Sequence, residues 1–473
     1  MSEGYDAVVV GSGPNGLAAA ITLARAGRSV LVIEGADQPG GAARTAELTL
    51  PGFLHDVGSS IHPTAVASPF FRQLPLRDHG LEWIHPDFPL AHPLDGGQAV
   101  IQERSVSRTA QRLGRDAPAW SRLFAPLVAG FDRIDRELTG PLTPFVRSPL
   151  RMLWMAWIGF RSAESLAGWF RDEPARALLA GHAAHSVLPL ERSPSAAAGV
   201  FLATLAHRVG WPMPRGGAAS ITRALLGYLG SLGGELRTGQ WVRDLRELPP
   251  SRLVLLDVTP RQFLAMAGDR LPPGYRARLE RFRYGPGVFK VDYALDGPVP
   301  WSHPEVARAG TVHVGGTFAE VARSERSAWQ GTGCHSPFLL CAQTSRFDPS
   351  RAPAGKHTLW AYCHVPPGFG GDLSEAVDRQ IERFAPGFRD LVLARSVMGP
   401  ARLEAGNPNL VGGDITGGAM TLDQLFTRPL AQRVPYATAL PGVFLCSSST
   451  PPGGGVHGMC GYHAARVALR QGN

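Results

Sequence analysis

The chain has 473 residues, 44% of them hydrophobic and 18% charged, and carries a formal net charge of +8. This composition excludes a disordered chain, and the length exceeds what one simple core holds, so two or three domains are expected. Of the 47 basic residues 45 are Arg and only Lys290 and Lys356 are Lys; they are scattered without a basic block, which argues against a nucleic-acid partner and leaves attraction to an anionic membrane surface as the better match.

Tyr5 leads straight into an apolar run, which leaves no room for a signal peptide and makes the cytoplasm the expected location. Ala7 to Val10 fits a strand buried on both faces. Gly11, Gly13 and Gly16 then spell G-x-G-x-x-G: a tight turn, a close backbone approach to a pyrophosphate, and close helix–strand packing. Pro14 suits the first helical turn, Asn15 follows it, and the helix is predicted to run to about Ala26 before Gly27. Ser29 to Ile33 forms the second strand, ending on Glu34 and Gly35; an acid there can hydrogen-bond both ribose hydroxyls of an adenosine. Gly40, Gly41, Ala42 and Arg44 come next, then Gly58 and Ser59. The paired glycines permit close backbone approach and Arg44 offers a forked cation for phosphate.

This continuation, with Gly52-Phe53 and Asp56-x-Gly58, resembles the FAD-binding signature of the amine oxidase and phytoene desaturase superfamily. The resemblance implies one non-covalent FAD, with Gly40, Gly41 and Arg44 near its diphosphate and ribityl chain. It runs in order from Tyr5 to Leu469 and is weakest between about 76 and 200.

From Pro75 to about Ser195 the chain reads as helices rich in Ala, Leu, Trp and Arg, a substrate or lid region. Its most apolar window is PLRMLWMAWIGF, Pro149 to Phe160, flanked by Arg147 and Arg161. Twelve residues give about 18 Å of helix against a bilayer core of about 30 Å. Both a buried helix lining a substrate tunnel and a helix lying in a membrane interface fit it. His182 and His185 form H-x-x-H without an evident third ligand, so no metal is expected. No G-x-S-x-G occurs, which disfavours a serine hydrolase.

Gly216-Gly217 opens what the resemblance implies is a second cofactor segment. An amphipathic helix follows with Ile221, Leu225, Leu226 and Leu229 on one face, then a stop at Gly233-Gly234 and a strand predicted to reach Val242. The resemblance implies that Val242 meets adenine through its backbone. Arg252 to Pro260 holds the next buried strand, and alternating runs between about 281 and 395 predict a mixed sheet. Five Cys without C-x-x-C predict reduced thiols and no zinc ribbon.

Near the carboxy end Gly453, Gly455 and Gly458 repeat the G-x-G-x-x-G spacing. Here SSSTPP separates them from the strand Val443 to Cys446, and no acid-tipped second strand follows. One dinucleotide gripped from both ends of the chain is therefore expected, not two. PPGGG resembles the family's terminal HPGGG run, with Pro451 where relatives often have His. The resemblance implies that Gly454, Gly455 and Val456 close over the isoalloxazine. A helix is predicted from Val456, its free N–H groups facing negative charge on the ring and His457 in its first turn. His62, in GSSIHP, His457, and Asp423, in LDQLF, are the candidate acid–base residues, each with packing or capping as its plainer role.

The expected fold is α/β: a Rossmann-like FAD-binding domain built from discontinuous segments 1–75, 200–280 and 405–473, and a substrate domain of mixed sheet plus helices from 76–199 and 281–404. The expected function is an FAD-dependent oxidoreductase removing hydride from a hydrophobic substrate, by C–C desaturation or by C–N or C–O oxidation. Hydride would go to flavin N5, and oxygen or a quinone would take the electrons. A flavin-dependent double-bond isomerase and a non-redox lipid-carrying protein on the same scaffold are the rivals.

Overall fold

The computed structural model describes residues 4–141 and 149–471. Its first sheet is wholly parallel, with five strands in the order Val443–Leu445, Ser251–Leu256, Tyr5–Val10, Val30–Ile33 and Glu235–Arg237. Alternate residues of these apolar strands serve different layers. Ala7, Val9, Val30, Val32 and Leu255 pack under the helices Pro14–Arg25, Ala219–Ser231 and Met459–Gln471. Val8, Val10, Leu31, Ile33 and Leu256 pack against Phe263 and Met266 of the helix Pro260–Ala267. Burial on both faces is what a parallel sheet demands. The first and last helices lie so close that a Cβ at Gly461 would stand 1.8 Å from the Asn15 carbonyl oxygen.

The strand predicted to reach Val242 stops at Arg237. Gly239 takes a positive φ of 68°, and the Gln240 N–H then bonds the Glu34 carbonyl, so Val242 sits in a loop folded back over the second strand's end.

The second sheet has seven strands, in the order Val392–Met398, Gly287–Leu295, His357–Val365, Leu339–Ala342, Ala309–Val314, Phe88–Leu94 and Gln98–Gln102. Ala309–Val314 and Phe88–Leu94 run parallel; the other pairs are antiparallel. Phe88–Leu94 and Gln98–Gln102 correct the all-helical reading of the region after Pro75. FPLAHPL is buried along its whole length and holds Pro89 and Pro93, so it shows neither alternation nor the composition of a strand.

The faces of this sheet differ. Phe289, Val291, Tyr293, Leu359, Ala361 and Cys363 pack with Val377, Ile381 and Phe384 of the helix Ser374–Phe384. The other face carries Lys290, Asp292, Trp360, Tyr362, Thr311 and His313. Cross-strand register sets them in two rows, Lys290–Tyr362–Leu340–His313 and Asp292–Trp360–Ala342–Thr311.

In the helix Pro149–Gly159, Ile158 is buried, Trp154 and Met155 pack against the core, and Leu153 and Trp157 are 69% and 51% exposed. The window thus has an inner and an outer side; Arg147 lies outside the described residues. Among the described residues no helix is long and apolar enough to cross a membrane. All five Cys are unpaired.

Candidate active site

A cavity of about 710 Å³ runs from the first glycine loop to the mixed sheet. The predicted cofactor residues line it with two exceptions, Gly16 and Gly40. Both stand one layer behind the wall. A Cβ at Gly16 would lie 2.0 Å from the Gly11 carbonyl oxygen, and one at Gly40 would lie 2.6 Å from Thr222 Oγ1. Between the wall glycines the approach is also tight: a Cβ at Gly41 would meet the Gly13 Cα at 3.3 Å.

Glu34 is held ready by its surroundings. Oε2 accepts the Ser12 N–H at 2.9 Å and the Ser12 hydroxyl at 2.6 Å, and Oε1 accepts the Ala36 N–H at 2.9 Å. The loop bearing Val242 also brings Trp241 over Gly35, where a Cβ would fall 2.5 Å from the indole Cδ2. Arg44 donates Nε–H to the Gly41 carbonyl at 2.8 Å and keeps its cation at the cavity wall. Buried Asn15 Oδ1 has no partner among the described residues. Bare backbone, a cation and an acid at the end of the second strand together fit a dinucleotide with an anionic diphosphate.

Asp257 was not anticipated. It follows the strand Ser251–Leu256, lines the cavity, and accepts the Gly16 N–H on Oδ2 at 2.9 Å. Burial, aided by the charge of Glu34 and opposed by the Gly16 N–H, pushes its carboxyl up to about 7. An acid closing an apolar strand was the visible signal.

The terminal glycines reach the same cavity: Gly454, Gly455 and Val456 line it beside Gly11 and Gly13. The last helix, however, starts at Met459, not Val456. Gly453, Gly455 and Gly458 take φ of 114°, 128° and 68°, which no helix continues. His457 therefore precedes the helix and caps it, its Nδ1 accepting the Met459 N–H at 3.0 Å.

None of the three candidate acid–base residues is part of the cavity wall. Burial pulls His457 down to about 4, and its carbonyl accepts the Ser68 hydroxyl at 2.7 Å. His62 is buried behind the wall, 3.0 Å from Ser59 Oγ through Nε2, and burial also pulls it down to about 4. Asp423 stands on the exposed short helix Leu422–Thr427, paired with Arg283.

The sheet end of the cavity supplies groups that the sequence reading passed over. Lys290 lines it, buried, with its ammonium on Asp292. Burial lowers the lysine and raises Asp292 to about 6. Thr311, Trp360, Tyr362, Trp211 and His185 line the same end. His185 meets His313 of the sheet, Nε2 to Nε2, at 3.1 Å, while His182 turns to Gln102. Among the described residues no group of three His, Cys, Asp or Glu is placed to hold a metal ion.

Residues 9–74 match the family described as NAD(P)-binding Rossmann-like domain. The chain is 27% identical to pyridine nucleotide-disulfide oxidoreductase domain-containing protein 2 of Rattus norvegicus, over 98% of this chain and 93% of that one. It is 28% identical to a phytoene dehydrogenase of Streptomyces griseus, over 82% of this chain and 77% of that one. Its fold is similar to that of a putrescine oxidase double mutant, with a TM-score of 0.63 at 17% identity and 98% of each chain covered. A dinucleotide-fitting cavity on this two-sheet scaffold, in a chain with such relatives, is that of an FAD-type oxidoreductase, similar in sequence to a phytoene dehydrogenase and in fold to an amine oxidase.

Proposed function

We propose that the protein binds one FAD non-covalently and uses it to withdraw hydride from a mainly apolar substrate seated at the sheet end of the cavity. The observation that carries this is continuity: the glycine-lined wall and the sheet-lined wall bound one space. When bound, the flavin supplies a hydride acceptor at N5. Glu34 binds the ribose, Asn15, Gly41 and Arg44 hold the diphosphate, and the Gly454–Val456 segment closes over the ring. Val187, Leu202, Leu340, Leu403 and Leu410 form the apolar part of the substrate wall and exclude water from it. Lys290 Nζ is the basic atom at that end. Burial lowers it from its ordinary value while Asp292 holds its ammonium in place.

The bond oxidised is C–C, C–N or C–O, and the electrons pass on to oxygen or a quinone. Purified protein will be yellow and acid will release FAD from it. Glu34→Ala will weaken FAD binding by about 1–3 kcal/mol, the cost of a lost charge-assisted ribose contact. A colourless protein that FAD cannot reconstitute sinks the reading.

We further propose a peripheral contact with anionic membrane. What supports it is an exposed aromatic surface: Trp157 lies tilted beside Trp169, ring centres 5.6 Å apart, under the Arg161 guanidinium, and Phe160 meets Phe426 at 5.7 Å. Trp157→Glu should lower binding to phosphatidylserine liposomes while flavin content holds; wild-type protein that ignores such liposomes at low salt excludes the contact.

A further inference from the structure

We propose that the sheet end of the cavity is a receptor for an uncharged carbonyl oxygen on the substrate, offered by donors on Thr311, Trp360 and His185. Thr311 is 4% exposed, lines the cavity, and its hydroxyl has no partner among the described residues. Trp360 lines the cavity too, and its indole N–H is equally without one. The two side chains stand in the same row of the sheet, each paired in register with Ala342, so only a methyl group separates them. Buried donors left unpaired cost free energy, and a wall meant for hydrocarbon has no reason to keep two.

The third donor is fixed by a neighbour. His313 lies two residues along the strand from Thr311, on the same face. Its Nδ1 is buried without a partner, against Gly181, where a Cβ would lie 2.4 Å away. An orphaned N–H is rarer than an orphaned lone pair, so His313 carries its proton on Nε2 and donates it to His185 Nε2. His185 must then hold its own proton on Nδ1. Burial keeps both rings neutral. His185, at the cavity wall, is thus a fixed donor and His313 its positioning residue.

The oxygen should be uncharged. Lys290, the cation at this end, is already matched by Asp292, which leaves no net charge to reward a carboxylate. Beyond these groups and the Tyr362 hydroxyl the wall there is apolar, with Leu202, Val288 and Leu340, so the substrate is a greasy body with a single acceptor oxygen.

This inference rests on the flavin oxidoreductase reading, and one sample reports on both. Visible absorbance of the flavin reports on that reading; isothermal titration of the holoenzyme with a matched pair of probes reports on this one. Benzylacetone and butylbenzene differ by one carbonyl in place of one methylene. An apolar chamber favours the hydrocarbon, because the ketone gives up its hydrogen bonds to water. The expected result is that benzylacetone binds at least as tightly as butylbenzene. Thr311→Val and Trp360→Phe should each shift the ratio toward the hydrocarbon by about tenfold. Butylbenzene binding about tenfold tighter in the wild-type protein overturns the proposal. So does a ratio that neither substitution moves in protein that keeps its flavin.

Discussion

At the glycine end of the cavity the wall is main chain, and a single added carbon would meet Gly13, Gly11 or Asp257 within about van der Waals contact or closer. At the sheet end the wall is side chains standing on paired strands, Lys290 and Tyr362 in one row, Trp360 and Thr311 in the next. Apart from the side chains of Asn15, Glu34 and Arg44, the first end is built of atoms that mutation cannot change one at a time. The second is built of groups that can each be exchanged without moving the backbone. A cavity of this kind keeps its cofactor while its substrate changes.

That contrast can be broken by substitution. Gly16→Val should cost at least about 3 kcal/mol, because its Cβ collides with the Gly11 carbonyl and the helix cannot withdraw. Urea midpoints and flavin content should fall together, and a variant with wild-type stability would show that the glycine wall has slack. Lys290→Met should cost about 3 kcal/mol by leaving Asp292 buried and unpaired, while affinity for FAD holds. Adding Asp292→Asn should recover most of that loss in a thermal melt. If the single variant loses FAD affinity instead, the two ends are not independent.

The smallest effect is in pH. The Asp257 carboxyl titrates near 7 in the folded protein against 3.8 as its ordinary value. Its neutral form therefore contributes stability that is complete below about 3.8 and gone as pH rises through about 7. An anionic diphosphate beside it also prefers the neutral form. FAD affinity, followed by quenching of flavin fluorescence, should thus tighten by about tenfold from about pH 8 to about pH 6. Asp257→Asn should hold the tight value throughout; a slope that survives this substitution assigns the effect to another group.

The glycine end was legible in the sequence because its information is local. Gly11, Gly13, Gly16 and Glu34 span one strand–helix–strand unit, and each spacing has one physical meaning. The error there was also local: positive φ at Gly455 and Gly458 delayed the last helix to Met459 and made His457 a cap. The sheet end was hidden because register, not spacing, brings residues 290, 311 and 360 together. A buried strand of FPLAHPL composition hid its share of the sheet in the same way. One signal was present in plain view. In a chain with 45 Arg and two Lys, a Lys in the middle of VFKVDYAL is an anomaly that asks for a task.

The order of strands in the parallel sheet has a consequence for how the protein is made. Tyr5–Val10 leaves the ribosome long before its neighbour on one side, Ser251–Leu256, and beyond that lies Val443–Leu445. The glycine loop that follows Tyr5–Val10 is backed by the helix Met459–Gln471, translated last of these. The nucleotide-binding half cannot mature segment by segment during synthesis; it waits, with an apolar edge unpaired, for partners far along the chain. A dinucleotide arriving before Met459–Gln471 docks would find only half of the cavity wall in place.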